Sequence, residues 1–411
     1  MSNVLKKITK LAATEVNGVV GIPNKNIDLK GLVKSKNPFA GVKVENVNVK
    51  CASVAFSGAY GYGNASFKKV TVESANNGVK VNNPNGSALT FENCSITAKA
   101  PVTFYENAGI TSALTAEFKG TNTMVVNNGG TYWFNIVEAD ATDATFKAIV
   151  NDAALDMSNT AFVASVGNVY YSSLQKAIDA AVDGDVVTLA KNIELDAANC
   201  VTNSEGYSVF VNVAGKTVTI DLNGKAITAN LSADQFASAK SSLLMAVLSV
   251  DTDGNLTLND SEGTGKVAVT ANDASVYSLI SNYDKTAKLT INGGSYELDK
   301  ARATGSLIHS DPSEAVVVNG GNFYLGNVGT GANGQPWIFN VNGNNTGYVI
   351  VNGGTFNYDV NHQYWAFEVH VDKESALKNN GNDTWTVVPA VAYVLEANNG
   401  YTRETGYATL E

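Results

Sequence analysis

Apolar residues in this chain recur at every second position over short stretches, and the stretches themselves recur. Val44, Val47 and Val49 are matched by Phe67, Val70 and Val72, and again by Phe91, Cys94 and Ile96. A second small motif follows each of them: Val54/Phe56, then Val79/Val81, then Val102/Phe104. Both motifs advance together. Each repeat is therefore expected to hold two short strands with alternate side chains inward, separated by turns such as Asn76-Asn77-Gly78.

The C-terminal half carries its own series. Leu289-Thr290-Ile291-Asn292-Gly293-Gly294 recurs as Val317-Val318-Asn319-Gly320-Gly321 and as Ile350-Val351-Asn352-Gly353-Gly354. Looser relatives are Val218-Thr219-Ile220-Asp221-Leu222-Asn223 and Leu256-Thr257-Leu258-Asn259, so Asn223, Asn259, Asn292, Asn319 and Asn352 form one aligned column. A constant strand-and-turn core with a variable step fits stacked rungs whose loops differ in length. The Asn-Gly pair also suits a two-residue hairpin, which would give an antiparallel meander. Rung-length intervals between the runs favour a solenoid. There glycine turns the corner and successive asparagine side chains stack in a hydrogen-bonded ladder.

Two segments read as helix. Ser172-Ser173-Leu174-Gln175 has a capping-box pattern, and Leu174, Ala177, Ile178 and Ala181 follow on one face before Asp183-Gly184-Asp185 ends the run. A helix over about 172–182 would plug the open end of a new run of rungs. Val4, Leu5, Ile8, Leu11 and Ala12 also fall at helical spacing, opposite Lys6, Lys7 and Lys10, and need another surface to cover them. Near the C-terminus, Val391-Ala392-Tyr393-Val394 echoes Phe162-Val163-Ala164-Ser165-Val166, and Tyr407-Ala408-Thr409-Leu410-Glu411 echoes Tyr171-Ser172-Ser173-Leu174-Gln175. The expected organisation is an N-terminal attachment segment (1–40), a first module (41–165), a second module with its capping helix (166–390), and the start of a third module or a docking segment (391–411).

On these residues the chain resembles right-handed parallel β-helix proteins of the pectate-lyase-like superfamily. The stretch over 171–189, Tyr-x-Ser-Leu-x-x-Ala-Ile-x-x-Ala-x-x-Gly-Asp-x-Val-x-Leu, is similar to the entry segment of such modules. β-helix regions of phage spikes and fibres and of bacterial adhesins are similar too. The resemblance implies an all-β, right-handed parallel β-helix of two modules. It implies little about activity, because one scaffold hosts many.

Composition narrows the partners. Among 411 residues, 28 are basic and 38 acidic, a net charge of −10 that disfavours nucleic acid. With 44% apolar residues the chain can build a core. Three cysteines (Cys51, Cys94 and Cys200) imply no disulfide framework and suit assembly in a reducing cytosol. No apolar run is long enough for a bilayer span, and the N-terminus is a poor export signal.

Candidate chemistry is sparse. The superfamily's polygalacturonase-like members carry an Asp pair with Gly-His-Gly. Here no Asp-Asp occurs, and His309, His362 and His370 lie in no such motif. In a strand over 361–372, Glu368, His370 and Asp372 would share a face as an acid/base or metal set, but the solvated face of a rung explains that alternation better. Asp251, Asp253 and Asn255 partly imitate a calcium loop, with the glycine misplaced, so a plain turn is expected. Tyr324, Trp337, Tyr358 and Tyr364 are candidates for glycan stacking. No cofactor is expected.

The leading expectation is a non-enzymatic structural protein of a bacteriophage virion, a fibre, spike or head-decoration component assembled in the host cytoplasm. It would attach to other virion proteins through Val4, Leu5, Ile8 and Leu11, as a homo-oligomer and in such proteins often a trimer, with host surface glycan as an outward partner and no membrane insertion. The alternatives are a polysaccharide lyase or hydrolase on the same scaffold, and a bacterial surface adhesin.

Overall fold

A computed structural model describes residues 42–59, 64–82, 86, 88–106, 114–138, 146–195, 200–231, 244–271, 276–282, 284–299, 306–310, 316–326, 337–341, 349–360, 369–371, 374–398 and 401–409. Residues 1–41, and with them the expected N-terminal helix, lie outside that set. The chain divides into two compact units, Met1–Lys176 and Ala177–Glu411.

In the first unit the chain visits three parallel sheets in turn. One takes Val42–Glu45, Asn64–Lys68, Ala88–Glu92, Leu114–Lys119 and Phe146–Asn151. The next takes Asn48–Cys51, Thr71–Ser74, Ser95–Ala98 and Thr123–Val126. The third takes Val54–Ala59, Asn77–Asn82, Ala100–Glu106 and Phe134–Glu138. Alternation explains the packing: Phe67, Phe91 and Phe118 fall on the buried face at matching register, and their rings stack at 5.2 and 5.1 Å. Each repeat thus covers the apolar face of the one before, adding dispersion and quadrupole contacts beyond the area removed from water. Cys94 is buried between repeats, where desolvation pushes its thiol pKa up, as expected of a small core residue.

One alignment needs correction. The sequence pattern pairs Val54/Phe56 with Val79/Val81, but Phe56 lies opposite Val79, Val54 opposite Asn77, and Gly58 opposite Val81. A two-residue slip keeps every inward side chain inward, so alternation alone cannot choose between the pairings.

The second unit repeats the plan with longer loops. Asp185–Leu189, Thr217–Asp221, Asn255–Asn259, Lys288–Ile291, Val316–Val318, Val349–Val351 and Val369–Val371 run parallel in one sheet. Ala226–Leu231, Lys266–Ala271, Ser295–Leu298, Asn322–Leu325 and Thr355–Phe356 form a second. Ser208–Val213, Leu244–Val250, Val276–Asn282, Ser306–Ser310 and Trp337–Val341 form a third. Tyr296, Phe323 and Phe356 stack at 5.4 and 4.9 Å. The glycines after the asparagines make the corners: Gly321 and Gly354 have φ of 110° and 112°, and a Cβ on Gly321 would sit 2.9 Å from the Gly294 carbonyl oxygen. All-β architecture with long parallel sheets fits a β-helix-like fold, and the meander is excluded for these strands.

The asparagine ladder forms over four repeats. Asn292 Nδ2 donates to Asn259 Oδ1 at 2.7 Å, Asn319 to Asn292 at 2.8 Å, and Asn352 to Asn319 at 2.9 Å. Asn223 does not join it. The residue opposite Asn259 is Asp221, while Asn223 sits two positions on at φ 49° and donates to the Leu189 carbonyl. The strand before that corner runs in the register of its apolar residues, and the asparagine match was a coincidence of turn composition.

The expected helix spans Leu174–Ala180, with Leu174, Ala177, Ile178 and Ala181 buried. Its C-terminal carbonyls are capped by one side chain: Lys216 Nζ donates to Ile178, Asp179 and Ala181 oxygens at 3.1, 2.9 and 3.0 Å. A cation there meets carbonyl acceptors at the negative end of the helix, of which Ile178 O also accepts the Ala181 N–H.

Both echoed segments fold as antiparallel hairpins. Ala164–Val166 pairs with Val169–Tyr171, and Ala392–Asn398 pairs with Tyr401–Tyr407. The second hairpin lies at the end of a sheet that turns antiparallel after Thr355–Phe356, through Trp385–Pro389 and Ser375–Asn379. Among the described residues no helix is long and apolar enough to cross a membrane.

Candidate functional site

One row of polar side chains in the second unit was not visible in the sequence. It lies on the third sheet, where Asn212, Ser249, Ser281, His309 and Asn340 occupy one position on five successive strands. Neighbouring strands put these side chains about 4.8 Å apart along a single line. Phe210, Val247, Leu279, Leu307 and Ile338, two residues earlier on the same strands, are all buried, as are Ser249, Ser281 and His309. A hydroxyl-imidazole-amide line inside an apolar setting is costly unless hydrogen-bonded.

Partners come partly from the same strands. Tyr277 packs edge-on to His309 at 5.3 Å between ring centroids, and Asn340 Nδ2 donates to the Tyr277 hydroxyl at 3.4 Å. Ser278 and Ser306 hydroxyls meet at 3.2 Å on the opposite face. At one end of the line Asn212 Nδ2 approaches Asp251 Oδ2 at 3.4 Å. Ser249 Oγ and Ser281 Oγ have no hydrogen-bond partner among the described residues. Ser281 and His309 are neighbours in register, yet no hydrogen bond joins them, as a nucleophile-base pair requires. The line holds polar groups in a fixed row.

Asp251, the first residue of the stretch that partly imitates a calcium loop and is expected to be a plain turn, is a staple. Its carboxylate accepts the backbone N–H and hydroxyl of Ser204, the N–H of Thr252 and the Asn212 amide. Burial alone would raise its pKa; the hydrogen bonds from Ser204, Thr252 and Asn212 outweigh this and hold it below the ordinary carboxylate value. Asp253, at φ 54°, donates its N–H to Thr286 Oγ1 at 2.7 Å, and Asn255 donates its N–H to the Lys216 carbonyl at 2.9 Å. Asp284, beside this turn, is held low by its bonds from Thr286, with Thr252 adding to them. Among the described residues no three His, Cys, Asp or Glu side chains form a metal-sized cluster.

The other candidates separate. Tyr324 is exposed, and Tyr358 lies near enough to feel its phenol; burial first, and then Tyr324, raises the Tyr358 pKa. Trp337 begins a strand of a different sheet and is half-buried. His370 stands in Val369–Val371, opposite Ile350. Glu368, Asp372 and Tyr364, like Val4, Leu5, Ile8 and Leu11, lie outside the described residues.

A concavity also lies among the described residues of the first unit. It has a volume of about 430 Å³ and is lined by Asn76, Asn77, Lys99, Tyr132 and Asn135, among others. Its rim is tied down by Asn127 and Asn128, whose Nδ2 atoms donate to the Ser74 and Ala75 carbonyls at 3.2 and 3.0 Å. Amides, a lysine and a phenol offer hydrogen bonds to a polar ligand.

No family model, no curated protein and no solved structure matches the chain.

Proposed function

We propose that the chain is a non-enzymatic structural component of a bacteriophage virion, a fibre, spike or head-decoration protein whose two units wind as right-handed parallel β-helices. The observation that carries the reading is the run of in-register parallel strands tied by stacked rings and the Asn259–Asn352 ladder. Such a scaffold resists bending because each repeat is bonded along its length to the next. In this reading the N-terminal segment attaches the protein to other virion proteins. Particles purified from lysates are expected to contain the protein at a fixed ratio to the major shell protein, by quantitative mass spectrometry. Absence from intact particles would overturn the proposal.

Host surface glycan is the outward partner in this reading, and the exposure of Tyr324, on the strand paired with the one that leads to Tyr358, favours that edge as the contact. Tyr324→Ala is expected to reduce retention of the protein on host cells several-fold, with circular dichroism unchanged. Retention equal to the parent's would remove the edge from consideration.

A further inference from the structure

The two hairpins are copies of one device in different surroundings. Ala164 lies opposite Tyr171, and Ala392 lies opposite Tyr407. The closing bond is the same as well: Val163 N–H donates to the Tyr171 carbonyl at 2.8 Å, and Val391 N–H to the Tyr407 carbonyl at 2.9 Å. Tyr171 is 8% exposed, but its counterpart Tyr407 is 41% exposed, and Val391, Val394 and Leu395 reach 59%, 54% and 68%. Val394 and Leu395 are adjacent in a strand, so both faces of the second hairpin present an apolar side chain to water. These four make up half of the large apolar residues exposed among the described residues. Such a concentration marks an interaction surface.

The chain carries a segment with matching chemistry. After the first hairpin comes Ser172-x-Leu174-x-Lys176-x-Ile178-x-x-Ala181, the amphipathic helix. The N-terminus reads Ser2-x-Val4-x-Lys6-x-Ile8-x-x-Leu11, with the same polar and apolar types at the same intervals. Charge agrees. Residues 1–14 contain Lys6, Lys7 and Lys10 and no acid, whereas residues 391–411 contain Glu396, Glu404 and Glu411 against Arg403. A short amphipathic segment is marginal by itself and needs a surface to order it.

We propose that the hairpin Ala392–Tyr407 is the acceptor for the Ser2–Leu11 segment of a second copy, so that copies join head to tail. The contact is heterologous: one copy gives its N-terminal stripe, the other its C-terminal hairpin. In a row of copies only the first keeps its N-terminal segment for another anchor, so the inference does not depend on where the protein resides.

Sedimentation velocity of the full chain over a range of concentrations tests this, with Leu395→Lys disabling the acceptor and Ile8→Asp disabling the donor. The parent is expected to associate with rising concentration, less so as salt screens the lysines. Each variant alone should associate on the order of tenfold more weakly or not at all. Mixed, they should form one-to-one complexes, because Leu395→Lys keeps an intact donor and Ile8→Asp an intact acceptor. A parent that stays a single species at all concentrations overturns the proposal. A mixture that stays unassociated does so too, as does an Ile8→Asp variant that associates like the parent, the signature of hairpin-to-hairpin pairing. Should Leu395→Lys lose its circular dichroism spectrum, Val391→Ser disables the same surface with a smaller change.

Discussion

Asn319 is bonded to a neighbour on each side, whereas Asn352 donates to Asn319 and has no acceptor role among the described residues. At about 1 kcal/mol per net hydrogen bond, Asn319→Ala should destabilise the second unit by roughly twice as much as Asn352→Ala. Equal losses in denaturant titrations would show that the ladder contributes no connected term. Asp251 supplies a pH prediction. Its folded pKa lies below the unfolded value, so its contribution is complete above about pH 4–5 and is lost as pH falls through the folded pKa. Asp251→Asn should flatten the acid limb of the stability curve and cost about 2–3 kcal/mol at neutral pH, because Ser204 and Thr252 lose a charged acceptor. An unchanged acid limb would assign the acid sensitivity elsewhere. At this scale sequence is a partial guide. Asn292, Asn319 and Asn352 are legible because local sequence repeats around them, whereas Asn212, Ser249, Ser281, His309 and Asn340 share no local motif and become neighbours only through register.

Elements follow from the same logic. The helix Leu174–Ala180 is legible from its apolar spacing, but its cap, Lys216, comes from a later turn and leaves no local mark. Lys216→Met keeps most of the stem and removes the donor, and should cost about 1–2 kcal/mol, with helical signal lost before strand signal on heating. Loss of both together would mean that the helix does not unfold separately. Phe91 lies between Phe67 and Phe118, so Phe91→Ala opens a cavity flanked by two rings and should cost about 3–5 kcal/mol. The Val54/Phe56 slip shows the limit of pattern reading for strands. Periodicity reports which face is buried, and register is settled by loop length and by which rings stack.

At the scale of the molecule, two units with separate repeats are expected to unfold separately, as nearest-neighbour stacks do when cooperativity breaks. Trp133 reports on the first unit; Trp337, Trp365 and Trp385 belong to the second. Variants retaining only one group of tryptophans should give different denaturant midpoints, and coincident curves would show a single cooperative unit. Parallel pairing between strands 20 to 40 residues apart delays closure of each contact, so refolding should be slow. The ladder also sets how the protein ages. Asn292, Asn319 and Asn352 each precede two glycines, the setting in which a backbone nitrogen most easily displaces ammonia from the side chain. A carboxylate left at Asn319 would face the Asn292 oxygen with nothing to donate. Chemical wear at one corner therefore spreads to the corner beside it, and a stored preparation should grow more acidic as it loosens.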